Sequence, residues 1–244
     1  MLSGFWQVSK KSNFSAIKMS NLLEKIKNAN PEILNRTIRK WNDFPFAFVK
    51  EKYWQDAGSV NIFRIVGTEH PDYASLTWLS FLELGKRMYL NLDLFDKNPG
   101  YYRETIKKIP SMYYISIDGG DLYVAGNDNH RGNHRTAIAK AAFFLTGETM
   151  LHGVMVTDYR IDWKFKEIYE ELTELIIKKR LPYKADIVSE TVLRDDTAGW
   201  MLEKYDLKIK LFDFKKQKTT LLNMQEAKNL ISDLKKSKWN IWGK

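Results

Sequence analysis

The sequence predicts an α/β (α+β) protein in which a small mixed sheet is surrounded by helices. Three observations carry that expectation. Two short runs with strand composition, 113–118 (YYISID) and 121–125 (DLYVA), are joined by Gly119-Gly120, a strong hairpin signal. An Ala-rich segment then runs from Asn133 to Thr146-Gly147 with helical character, and a β-branched and apolar run follows at 150–157. Residues 163–179 carry Phe165, Ile168, Tyr169, Leu172, Leu175 and Ile176 on one stripe, as an amphipathic helix requires. Strands and helices that alternate along a chain favour a sheet with helices packed on it.

The remaining elements follow in order. Ile17, Leu22, Leu23 and Ile26 lie roughly at helical spacing in 15–28. Asn30-Pro31-Glu32 reads as a helix start that runs to about Trp41, because Pro suits the first helical position. The stretch 43–56 is aromatic and reads as irregular, whereas 59–66 (SVNIFRIV) reads as a strand. A helix is expected from Pro71 to about Leu90, weakened at Gly85. Asn98-Pro99-Gly100 marks a turn, and 101–108 fits a short helix. Beyond Leu181-Pro182 the pattern changes: 185–192 suits strand or helix, and 206–214 alternates as a half-buried strand. Asn223 and Glu226 form a capping-box pattern before a final helix.

Composition narrows the partners. The 244 residues carry a formal charge of +9, are 14% aromatic and include no cysteine. Disulfide and thiol chemistry are therefore excluded, and a reducing compartment fits. No apolar run is long enough for a transmembrane helix, and the first residues show no secretory leader pattern, so no membrane insertion is expected and the cytoplasm is the expected location. The positive balance favours polyanionic partners such as nucleic acid or a nucleotide. Residues 201–244 concentrate it, with 11 Lys against 5 acidic residues. Their tail interleaves Lys with Trp239 and Trp242, which suits either grip on single-stranded nucleic acid or, as we favour, packing on the core.

The chemistry concentrates at 126–135, GNDNHRGNHR, which contains two His, two Arg, one Asp, three Asn and two Gly. A Gly-rich loop that leads into a helix exposes unpaired N–H groups at the positive end of the helix dipole, a natural anion site. Gly132 allows close backbone approach, and Asn133 opens the helix. Arg135 can fork onto a phosphate from the first turn, with Arg131 and His134 beside it. Thr136 offers a hydroxyl. The alternative is a capped polar loop in which Arg135 makes a structural ion pair. His134 or His130 could move a proton, and Asp128 could support a histidine or a metal. Asp128 and His130 are also the candidate ligands for a divalent ion, Mg or Mn, with His152 approaching from the following strand.

These residues resemble a family. A hairpin, then Gly-x-His-Arg at the mouth of an Ala-rich helix, then Leu-x-Gly and a strand is similar to the ParB/sulfiredoxin superfamily. The resemblance rests on 121–125, 132–147 and 150–159, under a quarter of the chain. It implies a ParB/sulfiredoxin-like core with N- and C-terminal extensions, and binding of a nucleotide such as ATP or CTP, or of DNA. Some members are nucleases (DNase activity) or nucleotide hydrolases. It also implies that Gly132, His134 and Arg135 contact phosphate. The sulfiredoxin cysteine is missing, so peroxiredoxin repair is excluded. Residues 127–131 depart from the pattern as an insertion, and no DNA-reading helix-turn-helix is evident. A stand-alone member of the plasmid fertility-inhibitor kind is the nearest analogue. Asn129-x-x-Gly132-x-x-Arg135-Thr136 also has the spacing of the tyrosine-phosphatase loop, with Asn in place of the nucleophile, so that chemistry cannot run.

The expected organisation is a mainly helical extension at 1–110, a core at 111–182 and a basic extension at 183–244, all within one domain or nearly so. The expected function is nucleic-acid or nucleotide binding with DNase or nucleotide-hydrolase activity at 126–136. The alternatives are a non-catalytic nucleotide- or DNA-binding regulator, with a protein partner possible, and an interaction protein that uses its basic surface to block another macromolecule.

Overall fold

The computed structural model describes residues 20–41, 44–102, 112–125, 132–196 and 199–236. The described residues begin with α1 (Asn21–Ala29) and the single turn α2 (Glu32–Asn35). The predicted helix from Pro31 ends there, short of Trp41. Arg36 is extended (φ −70°, ψ 138°), and the buried Ile38 exchanges backbone hydrogen bonds with Ser75 and Leu76. The β-branched pair Thr37-Ile38 suits that extended pairing, which leads into β1 (Arg39–Lys40).

The aromatic stretch expected to be irregular instead makes a 3₁₀ turn, Phe46–Phe48, and a long strand, β2 (Val49–Asn61). The strand expected at 59–66 is split by a second 3₁₀ turn, Ile62–Arg64, before β3 (Ile65–Thr68). The helix expected to start at Pro71 starts at α3 (Trp78–Leu84), where Thr77 caps the Ser80 N–H. It stops at Gly85 and restarts as α4 (Met88–Lys97) after a left-handed Arg87. The short helix expected at 101–108 lies largely outside the described residues.

The central unit follows the sequence closely. β4 (Tyr113–Ile117) and β5 (Leu122–Val124) form the hairpin, with Asp118 and Gly119 both at positive φ in its turn. Helix α5 (Asn133–Thr146) ends on a left-handed Gly147, where the missing Cβ removes the usual penalty. Next come β6 (Met150–Ile161) and α6 (Trp163–Lys178), the latter capped by Asp162. The chain closes with β7 (Tyr183–Asp195), β8 (Met201–Asp213), β9 (Lys218–Leu222) and α7 (Met224–Lys236). The basic tail with Trp239 and Trp242 lies outside the described residues.

The sheet is mixed, as expected, but large rather than small. Its nine strands run in the order β1-β3-β5-β4-β6-β2-β8-β7, with β9 on β8. Strands β1, β3 and β5 are mutually parallel, and β4 is parallel to β6. Successive residues of a strand face opposite ways. Tyr114, Val124, Val154 and Val156 thus join a core with α1 to α5, and Ile117, Tyr159 and Ile161 join another with α6 and α7. The two cores lie on opposite faces of one sheet. Strands come from 39–68, 113–161 and 183–222, so the helical N-terminal extension and the basic C-terminal extension are parts of one sheet rather than appendages. Among the described residues no helix is long and apolar enough to cross a membrane.

Candidate functional site at the N-terminus of α5

The parallel strands β1, β3 and β5 bring their carboxyl ends together. The Trp41 N–H donates to the Thr68 carbonyl at 3.0 Å, and the Glu69 N–H donates to the Val124 carbonyl at 3.1 Å. Crevices outside the carboxyl ends of parallel strands are where open α/β sheets bind ligands. Helix α5 starts beside them. Its first residue follows Gly132, and no described side chain caps that end.

His134 leans on the segment between α3 and α4. Its Nε2 lies 2.7 Å from the Lys86 carbonyl oxygen, and its ring sits 5.1 Å from Phe81 and 5.6 Å from Tyr73. A carbonyl only accepts, so Nε2 carries the proton and Nδ1 the lone pair. Burial holds the imidazole below its ordinary pKa, and a charge on nearby His70 would push it the same way; the Lys86 hydrogen bond opposes both. His134 is therefore a neutral imidazole at pH 7, suited to accept a proton rather than to balance a phosphate charge. His70 stacks on Tyr73 at 4.1 Å, and its Nδ1 accepts the Asp72 N–H at 3.3 Å. His70 thus shapes the turn that follows it, with its carbonyl accepting the Tyr73 N–H at 3.3 Å.

Arg135 is half-buried, with its guanidinium 5.9 Å from the centre of the Tyr101 ring. Its charge partly offsets the strong upward push that burial gives the Tyr102 phenol. The Tyr101-Tyr102 pair was not singled out from the sequence. The signal was the turn at Asn98-Pro99-Gly100, which aims the following aromatics back toward α5.

Thr136 corrects the sequence reading. Its hydroxyl is fully buried, donates to the Gly132 carbonyl at 2.8 Å and shares a 2.8 Å hydrogen bond with the Tyr114 hydroxyl. It ties the helix to β4, and its hydroxyl is already engaged. Asn133 is also buried. His152 is corrected as well. It bonds Ser59 Oγ through Nδ1 at 2.7 Å and lines a cleft with Phe143 and Gly147. That is the far end of α5, about 20 Å along the helix from Gly132 at 1.5 Å per residue. Asp128, Asn129, His130 and Arg131 lie outside the described residues, and with them the expected metal ligands. Among the described residues no three His, Asp or Glu side chains gather closely enough to hold a metal ion.

Comparisons with known protein families, with curated proteins and with solved structures return no match.

Proposed function

We propose that this is a ParB-like nucleotide- or nucleic-acid-binding protein that holds phosphate at the N-terminus of α5. The observation that carries the reading is the start of a fourteen-residue helix, which no described side chain caps, beside the joined carboxyl ends of three parallel strands, with Arg135 in its first turn. In this reading Gly132 lets the phosphate approach the backbone, the N–H groups of the first turn donate to it, and Arg135 supplies the charge. A neutral His134 with a lone pair on Nδ1 supports a further step, in which it takes a proton from water or a hydroxyl attacking phosphorus. A divalent ion, Mg or Mn, would screen the phosphate charge in that step. The absence of cysteine and the net charge of +9 suit a cytoplasmic protein with polyanionic partners.

The test pairs wild type with Arg135→Ala. Thermal shift with ATP, CTP and GTP is measured beside cleavage of plasmid and single-stranded DNA with Mg²⁺, Mn²⁺ or EDTA. A nucleotide-dependent rise in Tm, or cleavage, that disappears in Arg135→Ala is the expected result. Replacing His134 by Gln should then spare binding and slow any cleavage by about 10²- to 10⁴-fold. A response that survives Arg135→Ala would remove the phosphate site from α5. A protein-binding regulator is the second reading, favoured by Leu84, Leu90 and Leu94, which α3 and α4 leave exposed. Silence of the wild type in every assay would turn attention there.

A further inference from the structure

A cleft of about 640 Å³ opens beside the turn of the β4–β5 hairpin, on residues that the phosphate reading does not use. Strand alternation builds its floor. Asp158 and Arg160 lie two apart in β6 and project to one side, and Tyr53 of β2 is in register with Asp158. Glu51, two residues before Tyr53, shares that side, and Lys50 and Trp200 join the lining. The volume is within the range of pockets for small organic ligands.

The polar contacts decide which sign of charge the cleft can take. All six oxygens of its three carboxylates are engaged within the protein. Asp158 accepts from Ser116 and Gly119 through Oδ1 and pairs with Arg160 Nε through Oδ2. Asp118 accepts from the Ile161 N–H at 3.2 Å and the Trp163 indole at 2.8 Å. Glu51 accepts from the Tyr53 hydroxyl at 2.9 Å and pairs with Lys204 at 3.1 Å. The donors are in the opposite state. Arg160 turns Nε to the buried Asp158, while Nη1 and Nη2 make no hydrogen bond among the described residues. The exposed Lys50 amine makes none there either. Nor is the guanidinium loose. It packs on the turn, where a Cβ at Gly119 would lie 3.5 Å from Nη2, and its centre sits 6.0 Å from the Tyr53 ring. With Nε committed and 40% of the side chain exposed, the two Nη groups are the part open to the cleft.

We propose that this cleft binds a small aromatic carboxylate. The two Nη groups present parallel N–H bonds that match the two oxygens of a carboxylate. Lys50 adds a second positive charge at the mouth, and Tyr53 and Trp200 offer ring surface to a flat body. The charge balance favours a carboxylate over a phosphate. Lys50, Arg160 and Lys204 are matched by Glu51, Asp118 and Asp158, so one negative charge meets less repulsion here than two.

Saturation-transfer NMR with 2-naphthoate tests the cleft, with the neutral 2-naphthamide and inorganic phosphate beside it. Naphthoate should show transfer, the amide should bind about tenfold more weakly, and phosphate should not displace naphthoate. Arg160→Lys keeps a charge beside Asp158 but removes the fork, and should weaken naphthoate about tenfold. Trp200→Ala should weaken it several-fold, whereas Arg135→Ala should leave it unchanged. No transfer to naphthoate would overturn the proposal, as would equal binding of the amide or wild-type affinity in both cleft variants. Displacement by phosphate at equal concentration would overturn the choice of a carboxylate. Should Arg160→Lys fail to fold, Trp200→Ala decides alone, since its ring is 44% exposed and belongs to neither core.

Discussion

Lys140 is a buried amine with no counter-charge against it among the described residues. It is 1% exposed on α5, and its amine lies 5.0 Å from the Trp78 ring and 5.5 Å from the Phe63 ring. Burial, with a smaller push from the charge of Arg36, brings its pKa down to about 7. Between that value and the unfolded one, about 10.4, the unfolded chain binds the proton and the folded chain does not. Stability therefore rises with pH across that window, and the full penalty applies below it. Lys140→Met should stabilise the protein at pH 7 by about 2–4 kcal/mol, a magnitude reduced from the full shift by the two cation–π contacts. Urea melts of both proteins at pH 7, 8.5 and 10 should show the gap closing as pH rises. A gap that stays constant would mean the amine is not desolvated. Gly132, Thr136 and Lys140 are spaced four apart and so share the inward face of the helix. From sequence, the polar density of 126–135 singles out the start of α5 as the candidate site. The direction of each side chain is not legible there, because the Ala-rich helix packs on several sides and hides which stripe faces β4. Thr136 was accordingly given to the ligand, and Lys140 was passed over.

The β4–β5 hairpin is held at its turn by side chains from distant strands. Asp158 accepts from Ser116 Oγ at 2.7 Å and from the Gly119 N–H at 2.8 Å, and it pairs with Arg160 Nε at 2.8 Å. Arg64 donates to the carbonyls of Gly119 and Gly120. Asp158→Ala would strand the buried Ser116 hydroxyl and remove the acceptor of the Gly119 N–H and the partner of Arg160, at a site that is 7% exposed. We expect a loss of about 2–4 kcal/mol in urea unfolding, because buried partners of a removed charge keep their desolvation cost. Asp158→Asn, whose amide oxygen can still accept, should lose less. A loss within error for Asp158→Ala would show that Arg64 and the hydrogen bonds of Asp118 to Ile161 and Trp163 suffice to pin the turn. Local chemistry made some elements readable: Gly119-Gly120 for the hairpin, Gly147 for the end of α5, and the reciprocal Asn223–Glu226 hydrogen bonds of 2.8 and 3.0 Å at the start of α7. Strand β2 was not readable. Its residues 50–56, KEKYWQD, present no apolar face, and it is defined by pairing with β6 and β8, about a hundred and a hundred and fifty residues away in sequence. Such pairing outweighs strand propensity, which is a weak and context-dependent preference.

At the scale of the molecule, one sheet couples two cores, and the second core depends on the C-terminal segment. Leu207, Ile209 and Leu211 of β8, Leu222 of β9, and Ala227, Ile231 and Leu234 of α7 pack with Phe165, Ile168, Leu172 and Ile176 of α6. Strand β8 also borders β2, through Glu51 to Trp54. A chain ending at residue 182 would thus leave the apolar stripe of α6 uncovered and β2 with an open edge. Exposed apolar faces and unpaired edges favour association over folding. The positive charge of the segment suits a polyanion, and its alternating apolar residues close the fold. We expect residues 1–182, expressed alone, to bind a hydrophobic dye, to lack near-ultraviolet circular dichroism and to melt without a cooperative transition. A fragment that melts in one sharp transition would show that the α1–α5 core stands by itself. It would also free the basic segment for a role separate from the fold, and the choice between those outcomes rests on whether β8 is required to hold β2.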